Sequence, residues 1–149
     1  MNTAILHLVL VLLGLTGYLL AQYIYRKKND PDKPLVCPLK SNCDVVITSR
    51  YATIAGIPVE SLGMIYYIVI AVFHTLIFAW PAFGTTFMLQ LSVLISAVAL
   101  VFSVYLVCIQ AFVLKQWCTW CLCSAFLCAA IVLETIASLP AGVLKNLVF

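Results

Sequence analysis

Four uncharged apolar runs, at residues 4–25, 62–80, 86–114 and 118–139, dominate the hydropathy pattern. Each is about as long as the ~20 residues that a helix needs to cross a ~30 Å hydrocarbon layer, so each predicts a membrane-spanning helix. The breaks between the later runs are short. Trp80, Pro81, Ala82, Phe83 and Gly84 part the second from the third, a Pro and Gly break among interfacial aromatics. Only Lys115, Gln116 and Trp117 part the third from the fourth. Connections this short force neighbouring helices antiparallel, which predicts an all-α, up-down four-helix membrane bundle forming a single domain over residues 1–149. The first run has only Asn2 and Thr3 where a signal peptide carries basic residues, and no small-residue cleavage site follows it, so it is expected to be a retained helix. The third run exceeds one crossing and implies tilt or a projecting end. Along it Ser92, Ser96, Ala99 and Ser103 recur at spacings of four, three and four, a small-residue face that lets backbones approach in lipid.

Polar positions concentrate in the one long connection, residues 26–61, which carries six of the eight Lys/Arg and four of the five Asp/Glu. Loops of this length are usually functional. Arg26, Lys27, Lys28, Asn29, Asp30, Pro31, Asp32, Lys33 and Pro34 read as a charged, Pro-broken linker. Beyond it Ile47, Tyr51, Ile54 and Ala55 fall at helical spacing, with Asp44 as N-cap and Gly56 followed by Pro58 as stop. This predicts a short amphipathic helix on the membrane surface, a lid over the bundle.

Composition agrees with that picture and narrows it. The chain of 149 residues is 65% hydrophobic and 9% charged, against roughly 45–50% apolar and about 25% charged in soluble domains. A soluble globule is excluded. So is a nucleic-acid surface, because the basic residues are few and interleaved with acids in one loop.

Seven cysteines are many for this length. Cys37, Cys43, Cys118 and Cys121 lie in the loop or at a helix start, whereas Cys108, Cys123 and Cys128 lie within spans and read as small hydrophobes. Crossing parity opens the first loop and the start of the fourth helix on the same side. The pairs Cys37-x5-Cys43 and Cys118-x2-Cys121 therefore share one face. Cys118 and Cys121, three residues apart at a helix start, point to nearly the same side, where amide groups and the helix dipole favour a thiolate. A reactive dithiol beside a second pair on a loop can pass electrons through mixed disulfides. Zinc is disfavoured by the x5 spacing and the lack of a nearby histidine, so no metal is expected. A loop disulfide serving only as a staple, in a structural or adhesion-type four-span protein, is the alternative. Trp117 and Trp120 bracket the dithiol, either as an interfacial belt or as contacts for an aromatic ring. Within the spans His74 and Glu134 are intramembrane ionisable groups, functional candidates by default; their plainer roles are a bond to a neighbouring helix for His74 and snorkelling for Glu134.

Taken together, Cys37, Cys43, Asp44 to Tyr51, Gly56-Ile57-Pro58, Gly63, Tyr66-Tyr67 and Trp117-Cys118-Thr119-Trp120-Cys121 resemble the vitamin K epoxide reductase family in its short prokaryotic form, over about residues 5 to 139. The resemblance implies a four-helix bundle holding a quinone beside the CxxC, and an enzyme that drives disulfide formation in other proteins by reducing that quinone. Carried across, Cys118 and Cys121 would be the active dithiol, with Cys121 next to the quinone and Cys118 exchanging with the loop. Cys37 and Cys43 would be the shuttle pair that takes electrons from a thioredoxin-fold partner. Ser49 matches the family's loop serine at the quinone pocket; the alternative is a hydroxyl satisfying the lid helix.

Two positions depart from the vertebrate pattern, where an Asn and a Tyr stand in place of Val59 and Ala125. That favours ubiquinone or menaquinone over vitamin K epoxide. Many bacterial members carry a fused thioredoxin-like domain; the partner of this chain is expected in trans. The disulfide bond formation protein B family shares the chemistry but has its CxxC in the first loop, unlike the cysteine order here. Orientation is pulled two ways. Family resemblance places the cysteine face outside the cytoplasm, where disulfides persist. Arg26, Lys27, Lys28, Lys33, Lys40, Arg50 and Lys115 on that face, against Lys145 alone on the other, favour the inverted, cytoplasm-facing form.

Overall fold

The computed structural model describes residues 3–30, 36–37 and 42–140. Residues 31–34 of the linker, Lys40 and Lys145 lie outside the described residues. Among the described residues four helices are long and apolar enough to cross a membrane: α1 (Thr3–Lys28), α3 (Val59–Ala79), α4 (Thr86–Cys108, continued to Leu114) and α5 (Thr119–Ala137). Between α1 and α3 lie a five-residue helix α2 (Cys43–Ile47), a 3-10 turn Arg50–Ala52 and a minimal hairpin, β1 (Thr53–Ile54) against β2 (Ile57–Pro58).

The predicted bundle is present, and its packing follows from small residues. α1 lies closest to α3, α4 packs on α5, and α1 also meets α5. Gly17 sets the α1–α3 distance: a Cβ there would sit 2.4 Å from the Tyr67 ring. Leu10, Ala21, Tyr67, Ile70, Cys128 and Ile131 form the buried centre. Leu12, Leu19, Val98, Val101 and Leu133 point outward, as lipid-facing side chains must. α3 and α4 are not closely packed along their length, and a cavity opens between them.

Helix ends differ from the hydropathy boundaries for local reasons. α1 continues through Lys28, because Arg26, Lys27 and Lys28 in its last turn favour the negative end of the helix dipole. α3 starts at Val59, earlier than the apolar run, with Pro58 at its N-cap and Glu60 in its first turn. The excess length of the third span is taken up by a π-helical turn, Ile109–Leu114, closed by Lys115 in the left-handed conformation (φ 51°).

The lid segment is less helical than its spacing predicts. α2 begins at Cys43, with Asn42 rather than Asp44 at the N-cap position, and ends at Ile47. Tyr51, Ile54 and Ala55 are not on it. Thr48 and Ser49 divert hydrogen bonds to local carbonyls, Ser49 Oγ donating to the Val46 carbonyl at 2.7 Å. β-Branched Thr53, Ile54 and Ile57 then favour strands. Ala55 (φ 50°) and Gly56 (φ 82°) make a two-residue turn with both φ positive, the geometry short hairpins prefer.

Candidate functional site

The start of α5 is built around sulfur. Cys118 is the N-cap of the helix, a position where a side chain accepts from the free amides of the first turn. Its Sγ accepts the Cys121 backbone N–H at 3.4 Å, and the Cys121 thiol donates to it at 2.8 Å. The thiol bond from Cys121 holds Cys118 below the usual thiol value of 9.0, against the opposing cost of burial; the Cys121 and Trp120 backbone groups add to the lowering. The Cys118 N–H is in turn held by the side-chain carbonyl of Gln110 at 3.1 Å. Gln110 sits in the π-helical turn and is buried; such turns often reshape a helix at functional sites. Its backbone carbonyl accepts from Gln116, whose side chain accepts from Asn42 of the lid at 2.7 Å.

The second cysteine pair arrives from above. Cys37 and Cys43 are joined as a disulfide, with Cα atoms 6.1 Å apart. Cys43 and Cys118 are both fully buried in one cluster with Ile24, Val46 and Ile47, and Cys37, Trp120 and Cys121 pack against it. Side chains of Trp120 and Lys28 fasten the lid segment there. The Trp120 indole donates to the Val36 carbonyl at 3.1 Å while its ring lies 5.1 Å from that of Tyr23. Lys28 pairs with Glu60 at 3.3 Å and donates to the Ala52 carbonyl at 3.4 Å. α1, the hairpin and α3 are thus tied together at the rim.

Below the cysteines lies a cavity of about 350 Å³, with Cys121 in its wall and Glu60 and Gln110 at its polar edge. The remaining walls come from all four long helices and are almost entirely apolar. On its inner side the Tyr67 hydroxyl donates to the Ser124 carbonyl at 2.9 Å and lies 2.8 Å from Ser124 Oγ and 3.3 Å from Cys128 Sγ. Ser103 donates to Cys128 at 3.4 Å.

The sequence candidates distribute unevenly about this cavity. Cys121 lines it and Cys118 is directly behind. Ser49 lines a neighbouring space of about 50 Å³ that also touches Glu60 and Gln110, and its hydroxyl is spent on the lid helix. Trp117 is half exposed and Trp120 faces the lid; neither borders the large cavity. Cys108 and Cys123 are exposed toward the lipid side, whereas Cys128, read from sequence as packing, is buried at the cavity wall. His74 lies in the other half of the bundle. Four residues were given no role at the site from sequence: Gln110, Glu60, Lys28 and Tyr67. Gln110 had a legible signal, a lone amide within an apolar run.

Residues 6–136 match the family model described as the Vitamin K epoxide reductase family. The chain belongs to that family. Membership implies a membrane oxidoreductase that couples disulfide formation to a quinone. The cavity suits such a molecule: its volume falls in the range of about 300–1,000 Å³ common for ligand pockets, it is apolar, and it places a thiol in its wall. The four apolar helices agree with a multi-pass membrane enzyme of this family.

Proposed function

We propose that this protein is a quinone-dependent thiol oxidoreductase that makes disulfide bonds in a thioredoxin-fold partner supplied in trans. The observation that carries the reading is the gathering of both cysteine pairs at one buried cluster, with Cys121 the one of those four on the cavity wall. A partner thiolate attacks Cys37, the less buried sulfur of the lid disulfide. The resulting mixed disulfide is resolved by the partner's second thiol, leaving Cys37 and Cys43 reduced. Cys43, buried beside Cys118, then attacks Cys118 of an oxidised Cys118–Cys121 bond, and Cys37 closes back onto Cys43. Electrons thereby move to the Cys118/Cys121 dithiol. A bound ubiquinone or menaquinone supplies the electron sink, taking two electrons and two protons.

The chain's own groups prepare that transfer. Gln110 fixes the Cys118 amide, the Cys121 thiol stabilises a Cys118 thiolate, and the lid keeps water from the sulfur cluster. Ser49 and Trp120 support the lid that covers the quinone head group, and Trp117 lies at the membrane interface beside it. The family resemblance puts the cysteine face outside the cytoplasm; the excess of basic residues on that face favours the inverted orientation. Treating intact cells with a membrane-impermeant phosphine reductant and then a membrane-impermeant thiol reagent decides between them: Cys37 is labelled only where the cysteine face lies outside.

Alkylation after denaturation tests the reaction. Purified protein should contain two disulfides that open with a reduced thioredoxin-like protein and re-form when ubiquinone or menaquinone is added. Quinone reduction by Cys121→Ser at the wild-type rate would sink the mechanism.

A further inference from the structure

The half of the bundle away from the cysteines contains a polar group on each of three helices where apolar packing would suffice. His7 of α1 and His74 of α3 meet at Nδ1–Nδ1, 3.0 Å apart, with rings stacked at 5.2 Å. His74 Nε2 continues the contact to Ser92 Oγ of α4 at 3.3 Å. All three side chains are buried. Two imidazoles that meet nitrogen to nitrogen must share one proton between them, one ring donating and the other accepting. Ionisable groups at membrane depth are costly and are usually kept for a purpose.

The polar track does not stop at Ser92. Ser96, one turn or about 6 Å further along α4, has no exposure and a hydroxyl without a hydrogen-bond partner. The Tyr66 hydroxyl, also buried, neighbours Ser96 without a hydrogen bond between them, and Tyr66 lines the large cavity. Buried hydroxyls left open in this way are the places where ordered water is expected. At the other end His7 stands only about 6 Å, one helical turn, inside the start of α1. From α5 the ionisable group nearest this level is Glu134, with Oε2 buried and unpartnered rather than extended to the interface. It lies one turn past Ile131, and His7 lies one turn before Leu10; Ile131 and Leu10 share the central cluster. Among the described residues no other ionisable side chain lies in this half.

We propose that His7, His74, Ser92, Ser96 and Tyr66 form a proton-uptake route from the face opposite the cysteines to the cavity. The inference rests on the quinone reading above and adds where the protons come from. Oxidation of the Cys118/Cys121 dithiol to a disulfide releases two electrons and two protons; reduction of a quinone to a quinol consumes two of each. With the route in use, the thiol protons leave on the cysteine face and the quinol protons enter from the other. Turnover then moves charge across the bilayer.

The test uses the intact protein in sealed vesicles with the cysteine face outward, dithiothreitol outside, a short-chain ubiquinone in the bilayer and a pH dye in the lumen. Wild type should alkalinise the lumen by two protons per quinol formed. Raising lumenal pH should slow it, since proton supply falls. His74→Phe should lower both rates by about a hundredfold or more, the scale of a lost proton-transfer group. Ser92→Ala, a smaller change that tests the same route if the His74 variant fails to insert, should act in the same direction. In the resting, quinone-free protein, nuclear magnetic resonance should show one strongly hydrogen-bonded imidazole proton that is lost in His7→Phe. Full-rate quinone reduction with no lumenal alkalinisation, or no such imidazole proton, would overturn the route while leaving the quinone reaction standing. No quinone reduction by wild type would overturn both.

Discussion

Cys118 and Cys121 lie 2.8 Å apart at sulfur yet face different neighbours: Cys121 borders the cavity, and Cys118 is buried in the cluster that holds Cys43. A three-residue spacing across a helix start produces this division. Cys118 is the N-cap with extended backbone (φ −112°, ψ 108°), and Cys121 is already in the first turn. One sulfur is thereby turned to the lid and the other to the bundle interior.

The division predicts which mixed disulfide accumulates. In Cys121→Ser, Cys118 loses its resolving partner, so a Cys43–Cys118 bond should build up. Cys37→Ser should show the same bond, since Cys43 then has no partner to return to. Peptide mapping under acid-quenched, non-reducing conditions reads it. A dominant Cys37–Cys118 bond in Cys121→Ser would reverse the assigned order of the lid cysteines.

The thiol bond to Cys118 makes a prediction in pH. Because the Cys121 thiol favours the Cys118 thiolate, alkylation of reduced Cys118 by a small reagent should rise with pH through a midpoint below 9.0. Cys121→Ala removes the first cause of that lowering and should move the midpoint upward. The check is the pH profile of Cys118 modification, with Cys37 and Cys43 replaced by Ser.

Gly17 should tolerate no side chain without cost. The Cβ of Gly17→Ala would overlap the Tyr67 ring, which is fixed on its far side by Ser124 and Cys128. Overpacking of this kind costs about 1–3 kcal/mol, visible as a lower midpoint of unfolding in a mixed detergent titration. Tyr67 also borders the cavity, so KM for quinone should rise in the same variant.

Lys28 and Glu60 are largely withdrawn from solvent, with side chains 16% and 8% exposed, and they bind the lid to the bundle rim. Hydrogen bonds to charged groups contribute about 1.5–3 kcal/mol each. Lys28→Met leaves the Glu60 carboxylate and the Ala52 carbonyl without this donor, and should loosen the lid by roughly that amount. Faster amide exchange across residues 42–58, with little change in α3 and α5, is the expected outcome; equal acceleration everywhere would mean a global loss of stability instead.

Much of this protein was legible in its sequence because membrane crossing is a local demand. Each apolar run must satisfy its own backbone hydrogen bonds in lipid, so length and hydropathy alone specify four helices. Short connections then fix their alternation, and parity brings Cys37, Cys43, Cys118 and Cys121 to one end. Spacing could not specify how the lid closes. Residues 44–56 have helical periodicity, yet Ser49, the β-branched residues and the Ala55-Gly56 turn divert them into a short helix and a hairpin. The cavity, the separation of Cys121 from Cys118, the hold of Gln110 on the dithiol and the contact of His7 with His74 arise only where distant helices meet. Those were decided by tertiary packing, since residues 67 positions apart, as His7 and His74 are, share no local signal that they will touch.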